Sequence, residues 1–405
     1  MSHHDHDDLW SRHAAVERVH AARAELLEGR ATESVSLSSI AGRTLAEPIV
    51  AETDQPPHSH ATMDGFAFDA SEEYPFELVE REIFPEDDPG TLEAGQAVRI
   101  ATGAPLPTGA NAVLKREEAV VDDGHLEGVD IEPGTYTYER GSNLRAGETL
   151  FAAGERISPK DALLLADLGY EEVEVHKRFN VGLLATGTEI HEGRTRDLDS
   201  PMLAGLVQSW GHESTYEGTV PDDYEKVRDR IDKLGSDHDV VMTTGGTSVG
   251  DKDHVIAALE ELGEIRFHRV AVRPGKPIAL ARLPNHDAVA LAIPGKPIGA
   301  HTITLLVGRP LFTGEATHAT IAADLARNVG IGPPEFEYAV PVLLDDGKAM
   351  PLGHVDSPLA VYDDTFDPSV LSSSSRASRA DGFFVTETDR AAGEAVDVVP
   401  YPVLE

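Results

Sequence analysis

Between residues 180 and 310 the chain repeats one pattern that leaves few folds open. The apolar runs "VGLLAT", "DVVMTT" and "DAVALAI" are each followed by a turn and then a segment of helical character. Runs that stay apolar at successive positions suit strands buried on both faces. Strands alternating with helices build a doubly wound, mostly parallel sheet, expected here over about residues 180–325. The first helix, "DSPMLAGLVQSWG", is expected to have Ser200 as N-cap, Pro201 at its first position and Gly211 at its end. The next two are "DHVIAALEELG" and "GAHTITLLVG". Ligands of such sheets sit in the crevice beyond the carboxyl ends of the strands. The loops after "LLAT", "VMTT" and "ALAI" all leave such ends, so they should converge.

Those loops carry unusual chemistry. In "TTGGTSVGDKD" the adjacent Gly245 and Gly246 let backbone N–H groups turn toward a ligand, and Thr247 and Ser248 add hydroxyl donors. The helix that follows favours an anion at its start. The stretch lacks the GxxxxGK[ST] pattern, which disfavours an ordinary NTPase. It also reads as a plain strand-to-helix turn, with Asp253 as N-cap or as a carboxylate facing a metal or oxyanion. "VRPGKPIAL" and "IPGKPIGA" repeat Gly-Lys-Pro between prolines, which stiffen each turn and fix where the ammonium points. The chain has nine lysines against 25 arginines, and Lys252, Lys276 and Lys296 all lie in these three loops. Together they outline a phosphate-type pocket. Glu189 in "ATGTEI" and Asp64 in "TMDGFAFD" each read either as turn and helix-start chemistry or, with Asp253, as oxygen ligands for Mg²⁺.

Composition narrows the partners. Asp and Glu number 71 against 34 Lys and Arg, a net charge of −37 that repels nucleic acid and anionic lipid. The acid is spread along the chain like a halophile's solvated surface. There are no cysteines, which excludes disulfides and thiolate metal sites. No apolar run nears the ~20 residues that cross a bilayer, and "MSHHDHDDLW" lacks signal-peptide character. A cytoplasmic, soluble protein is expected. The "HHDHDD" tract reads as a solvated terminus.

Outside the central sheet, "LWSRHAAVERVHAARAELLEGR" (9–30) has helical spacing, with Leu9, Val16, Val19 and Leu26 on one face. Short runs at Phe76–Val79, Ala97–Ile100, Ala112–Leu114 and Ala119–Val121 suggest a small β-domain. Residues 157–178 read as a helix and a strand. Residues 335–405 return to short strands, and "LSSSSRAS" is either a polar loop or a second anion contact through Arg376 and Arg379. His58 and His60 read as structural. The expected fold is multidomain α/β. A discontinuous α/β first domain (9–48 with 140–178) joins a β-rich domain (49–139), the doubly wound domain (179–325) and a C-terminal β-domain (326–405).

The ordered motifs "DQPPHSHATMDGFAF", "RIATGAPLPTGANAV", "GSNLRAGETL", "LLATGTEI", "TTGGTSVGDKD", "VRPGKPIAL" and "IPGKPIGA" resemble the molybdopterin molybdenumtransferases (MoeA and the E domain of gephyrin). The C-terminal "SRADGFFVTETDRAAGEAVDVVPY" resembles that family's last domain, so the likeness covers nearly the whole chain. The resemblance implies an elongated four-domain homodimer with a MogA-like doubly wound domain. It implies an enzyme that inserts molybdenum from molybdate into adenylylated molybdopterin and releases AMP, with Mg²⁺. Carried over by position, Asp64, Thr102, Glu189, Asp253, Lys276, Pro294 and Pro297 fall on functional positions, and Asp222 or Asp223 on another acidic one. Three residues depart from the pattern: His60 stands for a usual serine, Thr149 for aspartate, and Lys296 for the asparagine of "PGNPVS". These motivate two alternatives, a tungstate-specific inserting paralogue and a non-catalytic pterin-binding scaffold. A nucleotide-pyrophosphate hydrolase on the same sheet type is a weaker third.

Overall fold

The computed structural model describes residues 9–246 and 253–405. The chain divides into two compact units, Glu47–Ala153 and the segments that flank it. The flanking segments pair with each other: Thr32–Ser36 runs antiparallel to Glu172–His176. The N-terminal helix Arg12–Leu27 turns Ala15, Val19, Ala22 and Leu26 into the same core as Phe179, Val181, Leu311 and Phe312. Gly29, at a φ of 69°, follows its end.

The central sheet has six strands, β1 (Asn180–Thr186), β2 (Glu213–Val220), β3 (Val240–Thr244), β4 (Glu264–His268), β5 (Ala279–Leu283) and β6 (Ala288–Ile293), in the order β2-β1-β3-β6-β5-β4. Pairs β2-β1, β1-β3 and β3-β6 are parallel. The hairpin partners β5 and β4 add two antiparallel pairs that periodicity alone did not reveal. β3 and β6 are buried at every residue. Alternate side chains serve opposite faces: Val240 and Met242 join one core, Val241 the other. Helix α1 (Asp199–Ser209) packs on the first face through Leu203, Leu206 and Val207. Helices α2 (Tyr224–Asp237) and α3 (His254–Leu262) pack on the second through Val227, Ile231, Leu234, Val255 and Leu259. The order reverses between β1 and β3, the switch point at the carboxyl edge beside which ligands of such sheets bind.

One helix start differs from the sequence reading. Ser200 lies inside the first turn of α1, and the capping acceptor is Asp197, whose Oδ1 takes the N–H groups of Asp199 (3.1 Å) and Ser200 (3.0 Å). A carboxylate two or three residues upstream reaches orphan N–H groups that a residue within the turn cannot.

The C-terminal sheet runs Val272–Arg273, Glu337–Asp345, Lys348–Pro351, Ile321–Leu325, Ala395–Pro400 and Gly382–Thr386, and the last strand pairs back onto Glu337–Asp345. Five strands therefore close on themselves, with Val272–Arg273 attached outside. That short strand comes from the middle of the central domain's sequence, between β4 and β5.

The Glu47–Ala153 unit holds a six-stranded sheet in the order Ala112–Lys115, Gly65–Phe68, Gln96–Ile100, Phe76–Ile83, His125–Gly128 and Ala119–Asp122. Phe66 and Phe68 pack with Phe76, Leu114 and Leu126, while the intervening Ala67 faces Ile83, Val98 and Val113. A Cβ on Gly65 would lie 2.0 Å from the Leu114 carbonyl oxygen, so only glycine permits this strand approach.

Candidate functional site

At the carboxyl end of the central sheet, backbone approach decides the geometry. Buried Thr186, the last residue of β1, donates its hydroxyl to the Thr244 carbonyl at the end of β3 (3.0 Å). Gly245 N–H then donates to the Ile293 carbonyl at the end of β6 (3.1 Å). Gly245 and Gly246 take φ values of 81° and 65°, which glycine adopts without penalty. A Cβ at Gly245 would meet the Thr186 carbonyl oxygen at 2.8 Å, one at Gly246 the Val255 methyl at 2.7 Å, and one at Gly295 the Gly245 Cα at 3.0 Å. The loops after β3 and β6 thus touch backbone to backbone.

They enclose a cavity of about 350 Å³. Gly245, Gly246, Pro294, Gly295 and Lys296 line it from the ends of β3 and β6, and Arg273, Pro274, Gly275, Lys276 and Pro277 from the turn between the C-terminal sheet and β5. Gly275 (φ 119°) lies so close to the helix Pro297–Ile303 that a Cβ would fall 2.5 Å from that of Ile303. Pro297 opens this helix and is not among the lining residues. Two hydrogen bonds tie the serine segment to this wall: Ile298 N–H, beside the cavity, donates to the Ser372 carbonyl (3.0 Å), and Lys296 Nζ donates to the Ser369 carbonyl (3.0 Å). Pro368, Ser369 and Ser372 complete the wall. The segment "LSSSSRAS" (371–378) therefore contributes Ser372, with Ser369 just before it, whereas Arg376 and Arg379 lie outside the lining set.

The cavity's other cations are held differently. Arg273 Cζ sits 4.0 Å from the centroid of the Phe336 ring, and Lys276 Nζ 5.5 Å from the same centroid. Arg273, Ser369 and Phe336 were not among the expected site residues, and Ser372 entered only as part of the serine run. Arg273 had a signal, standing directly before Pro-Gly-Lys-Pro; Phe336 had none.

The carboxylates fall elsewhere. Glu189, on the short helix Thr188–His191 after β1, is exposed, and its Oε1 lies 3.1 Å from where a Gly187 Cβ would stand. Asp222 anchors this loop: its Oδ2 accepts from Thr188 N–H, and its own N–H donates to Thr188 Oγ1 (both 3.0 Å). Asp223 caps α2. Asp253 caps α3, accepting from Ile256 N–H at 3.2 Å. Burial pushes its carboxyl up to about 6, against the opposing pull of that N–H and of Arg269. Neither Glu189 nor Asp253 lines the cavity. Thr247, Ser248 and Lys252 lie outside the described residues.

Within the Glu47–Ala153 unit, Asp64 and Thr102 come together across 38 positions. Asp64 Oδ1 accepts from the Thr102 N–H (2.8 Å) and hydroxyl (2.7 Å). The backbone bond, then the hydroxyl, hold the exposed carboxyl below its usual range, with a smaller contribution from Arg116. His60 sits on a two-residue strand with its ring edge-on to Tyr138 (5.2 Å), a structural setting.

Residues 11–169 match the model of the MoeA N-terminal region (domain I and II), and residues 182–314 that of a probable molybdopterin binding domain. A molybdopterin molybdenumtransferase of Synechococcus elongatus is 34% identical over 324 residues, which cover 75% of this chain and 80% of that one. The chain belongs to the molybdopterin molybdenumtransferase family. The Haemophilus influenzae enzyme of the same name is 27% identical over 407 residues, spanning 94% of this chain and 97% of its own. A solved structure of the MoeA protein of molybdopterin biosynthesis from Pyrococcus horikosii superposes over 97% of this chain and 99% of its own, with a TM-score of 0.67 at 25% identity. In this molybdenumtransferase, Glu189, Asp253 and the cavity walls from Gly245 to Gly299 fall in the part matching the molybdopterin binding domain, the serine wall at 368–372 lies beyond it, and the Asp64–Thr102 pair falls in the part matching domains I and II.

Proposed function

We propose that this enzyme of molybdenum cofactor biosynthesis inserts molybdenum from molybdate into adenylylated molybdopterin and releases AMP. The observation that carries the reading is the cationic cavity at the carboxyl end of the doubly wound sheet, where Arg273, Lys276 and Lys296 meet glycine-built backbone. In a chain of net charge −37, a local excess of cations over acids favours an anionic ligand. Molybdate and a pyrophosphate-bearing pterin are both anions. Lys276 and Arg273 would bind oxyanion oxygens, and the walls at Gly245 and Gly275 would exclude bulk water and fix orientation.

Asp64 in the Glu47–Ala153 unit, and Glu189 and Asp253 in the doubly wound part, are each by itself a proposed carboxylate for Mg²⁺. All three are carboxylate oxygen donors, the class Mg²⁺ takes, and the lowered Asp64 carboxyl is ionised at neutral pH. Bound Mg²⁺ would offset phosphate charge as AMP leaves. The protein's own part there is to keep Asp64 charged and oriented through Thr102. The four-domain division and a homodimer belong to the same proposal.

The test incubates the protein with adenylylated molybdopterin, Mg²⁺ and molybdate, and measures AMP and metal-loaded cofactor. Both products should form. Binding without AMP release would favour a scaffold, AMP without metal insertion a hydrolase, and faster turnover with tungstate a tungsten-specific enzyme.

A further inference from the structure

Many of the described arginines and lysines sit beside a carboxylate, among them Arg12 with Glu337 (2.7 Å), Arg30 with Asp239 (2.8 Å), Arg140 with Asp54 (2.7 Å) and Arg230 with Glu217 (2.7 Å). With 71 acidic residues in the chain, such partners are easy to find. Among the described residues, neither Arg273 nor Lys276 has one; both lie over Phe336 instead. Phe336 is buried, 3% exposed, and its place is set by the same ladder that sets Arg273. Val272 and Arg273 pair in parallel with Glu337 and Tyr338, and Glu337 N–H donates to the Ala271 carbonyl (2.8 Å). The ring therefore precedes the paired strand by one residue and lies under the cavity's cationic turn.

We propose that Phe336 is a positioning residue of the cavity: its ring face holds Arg273 and Lys276 where a carboxylate otherwise would, and so leaves their N–H donors to an anionic ligand. A carboxylate would hold two cations at least as firmly. It would also accept their hydrogen bonds and repel an incoming oxyanion. The ring's negative face attracts cations without strong acceptor oxygens, so charge is steadied and donors stay open. Two like charges near one another are held without cancelling the field that draws the anion. The proposal rests on the reading of the cavity as an oxyanion site.

Fluorinated phenylalanines at position 336 test it, because fluorine drains the ring face while nearly preserving its shape. The full-length protein carrying 4-fluoro-, 3,5-difluoro- and 3,4,5-trifluorophenylalanine should bind molybdate progressively more weakly, reaching about 5- to 30-fold for the most fluorinated ring. KM for molybdate should rise in step while kcat changes little, and Phe336→Tyr should bind like the unaltered protein. A flat series in a protein that binds molybdate overturns the proposal. If the unaltered protein binds no molybdate, the oxyanion reading fails instead. A ligand-free arm then still decides the stacking: the ring-current shifts of the Arg273 δ-methylene protons should vanish in Phe336→Leu, and their persistence overturns the proposal.

Discussion

The cavity beneath the glycine loops and the Asp64–Thr102 turn solve opposite electrostatic problems by one device. In the cavity, Arg273 and Lys276 rest on an aromatic ring; in the Glu47–Ala153 unit, Asp64 takes its two hydrogen bonds from a neutral threonine. Nearby Asp54 shows the ordinary alternative, since Arg140 bonds it at 2.7 Å and cancels its charge. Both Asp54 and Asp64 are held below the usual carboxyl range, each first by a backbone N–H, that of Ala146 and that of Thr102; the second donor is the Arg140 guanidinium for Asp54 and the neutral Thr102 hydroxyl for Asp64. A charge fixed by a neutral partner is oriented and still available. The two regions differ in what fixes them, loops packed backbone to backbone in one and the N–H and hydroxyl of a single threonine in the other, and that difference sets how much each mutation should cost.

The largest effect is expected at Gly275. Valine there would force a branched Cβ into a φ of 119° and within 2.5 Å of the Ile303 Cβ. Strain and overpacking together should cost about 3 kcal/mol, read as a lower urea midpoint at unchanged slope, and oxyanion binding should vanish with it. A Gly275→Val protein of normal stability and affinity would show that the cavity wall is soft and break the comparison.

Next comes the contrast between the lysines. Lys276→Ala removes a charged donor that faces the cavity over Phe336, and molybdate affinity by calorimetry should fall about 10- to 100-fold with little change in stability. Lys296 is exposed and already donates to Ser369. Lys296→Met should weaken binding less than about fivefold, the scale of an exposed charge contact. Equal losses would place both ammonium groups on the ligand. On the carboxylate side, Asp64→Asn keeps an acceptor for Thr102 and removes only the charge. Activity should fall about 10- to 100-fold, the usual cost of a weakened metal ligand, while the melting temperature stays put. Full activity would remove Asp64 from the site.

Much of this was legible because it was written in local chemistry. Apolar runs at Val181–Ala185, Val240–Met242 and Ala288–Ile293 announced strands buried on both faces, and the Gly and Pro residues that follow β3 and β6 announced loops that must converge. The antiparallel strands β4 and β5 were hidden because their side chains alternate only weakly, although each pairs with a near neighbour in sequence. Phe336 could not be read at all: its role depends on Val272–Arg273 leaving the central domain for the edge of the C-terminal sheet, a pairing across 65 positions between Val272 and Glu337. The Ser200 cap failed for a smaller reason, since Asp197 offers a better-placed acceptor to the same N–H groups. Local pattern predicts elements; the partners that orient a charge are chosen by topology.

The smallest effect is also the sharpest test of the neutral-partner idea. Thr102→Val deletes the hydroxyl but keeps the backbone N–H, the larger of the two contributions that lower the Asp64 carboxyl. The charged form of Asp64 then loses part of its stabilisation, so its carboxyl should rise toward the ordinary range without reaching it. A depressed carboxyl is ionised at every pH above its folded value, and the Thr102 contribution to folding is lost only as pH falls through that value. Raising it should move the acidic limb of the pH–activity profile to higher pH while leaving activity near neutrality within a few-fold of the unaltered protein. An unmoved limb, with Asp64→Asn inactive, would mean that the charge matters and the hydroxyl does not. The backbone of residue 102 would then be what holds Asp64, and the two regions would be alike in being fixed by main chain.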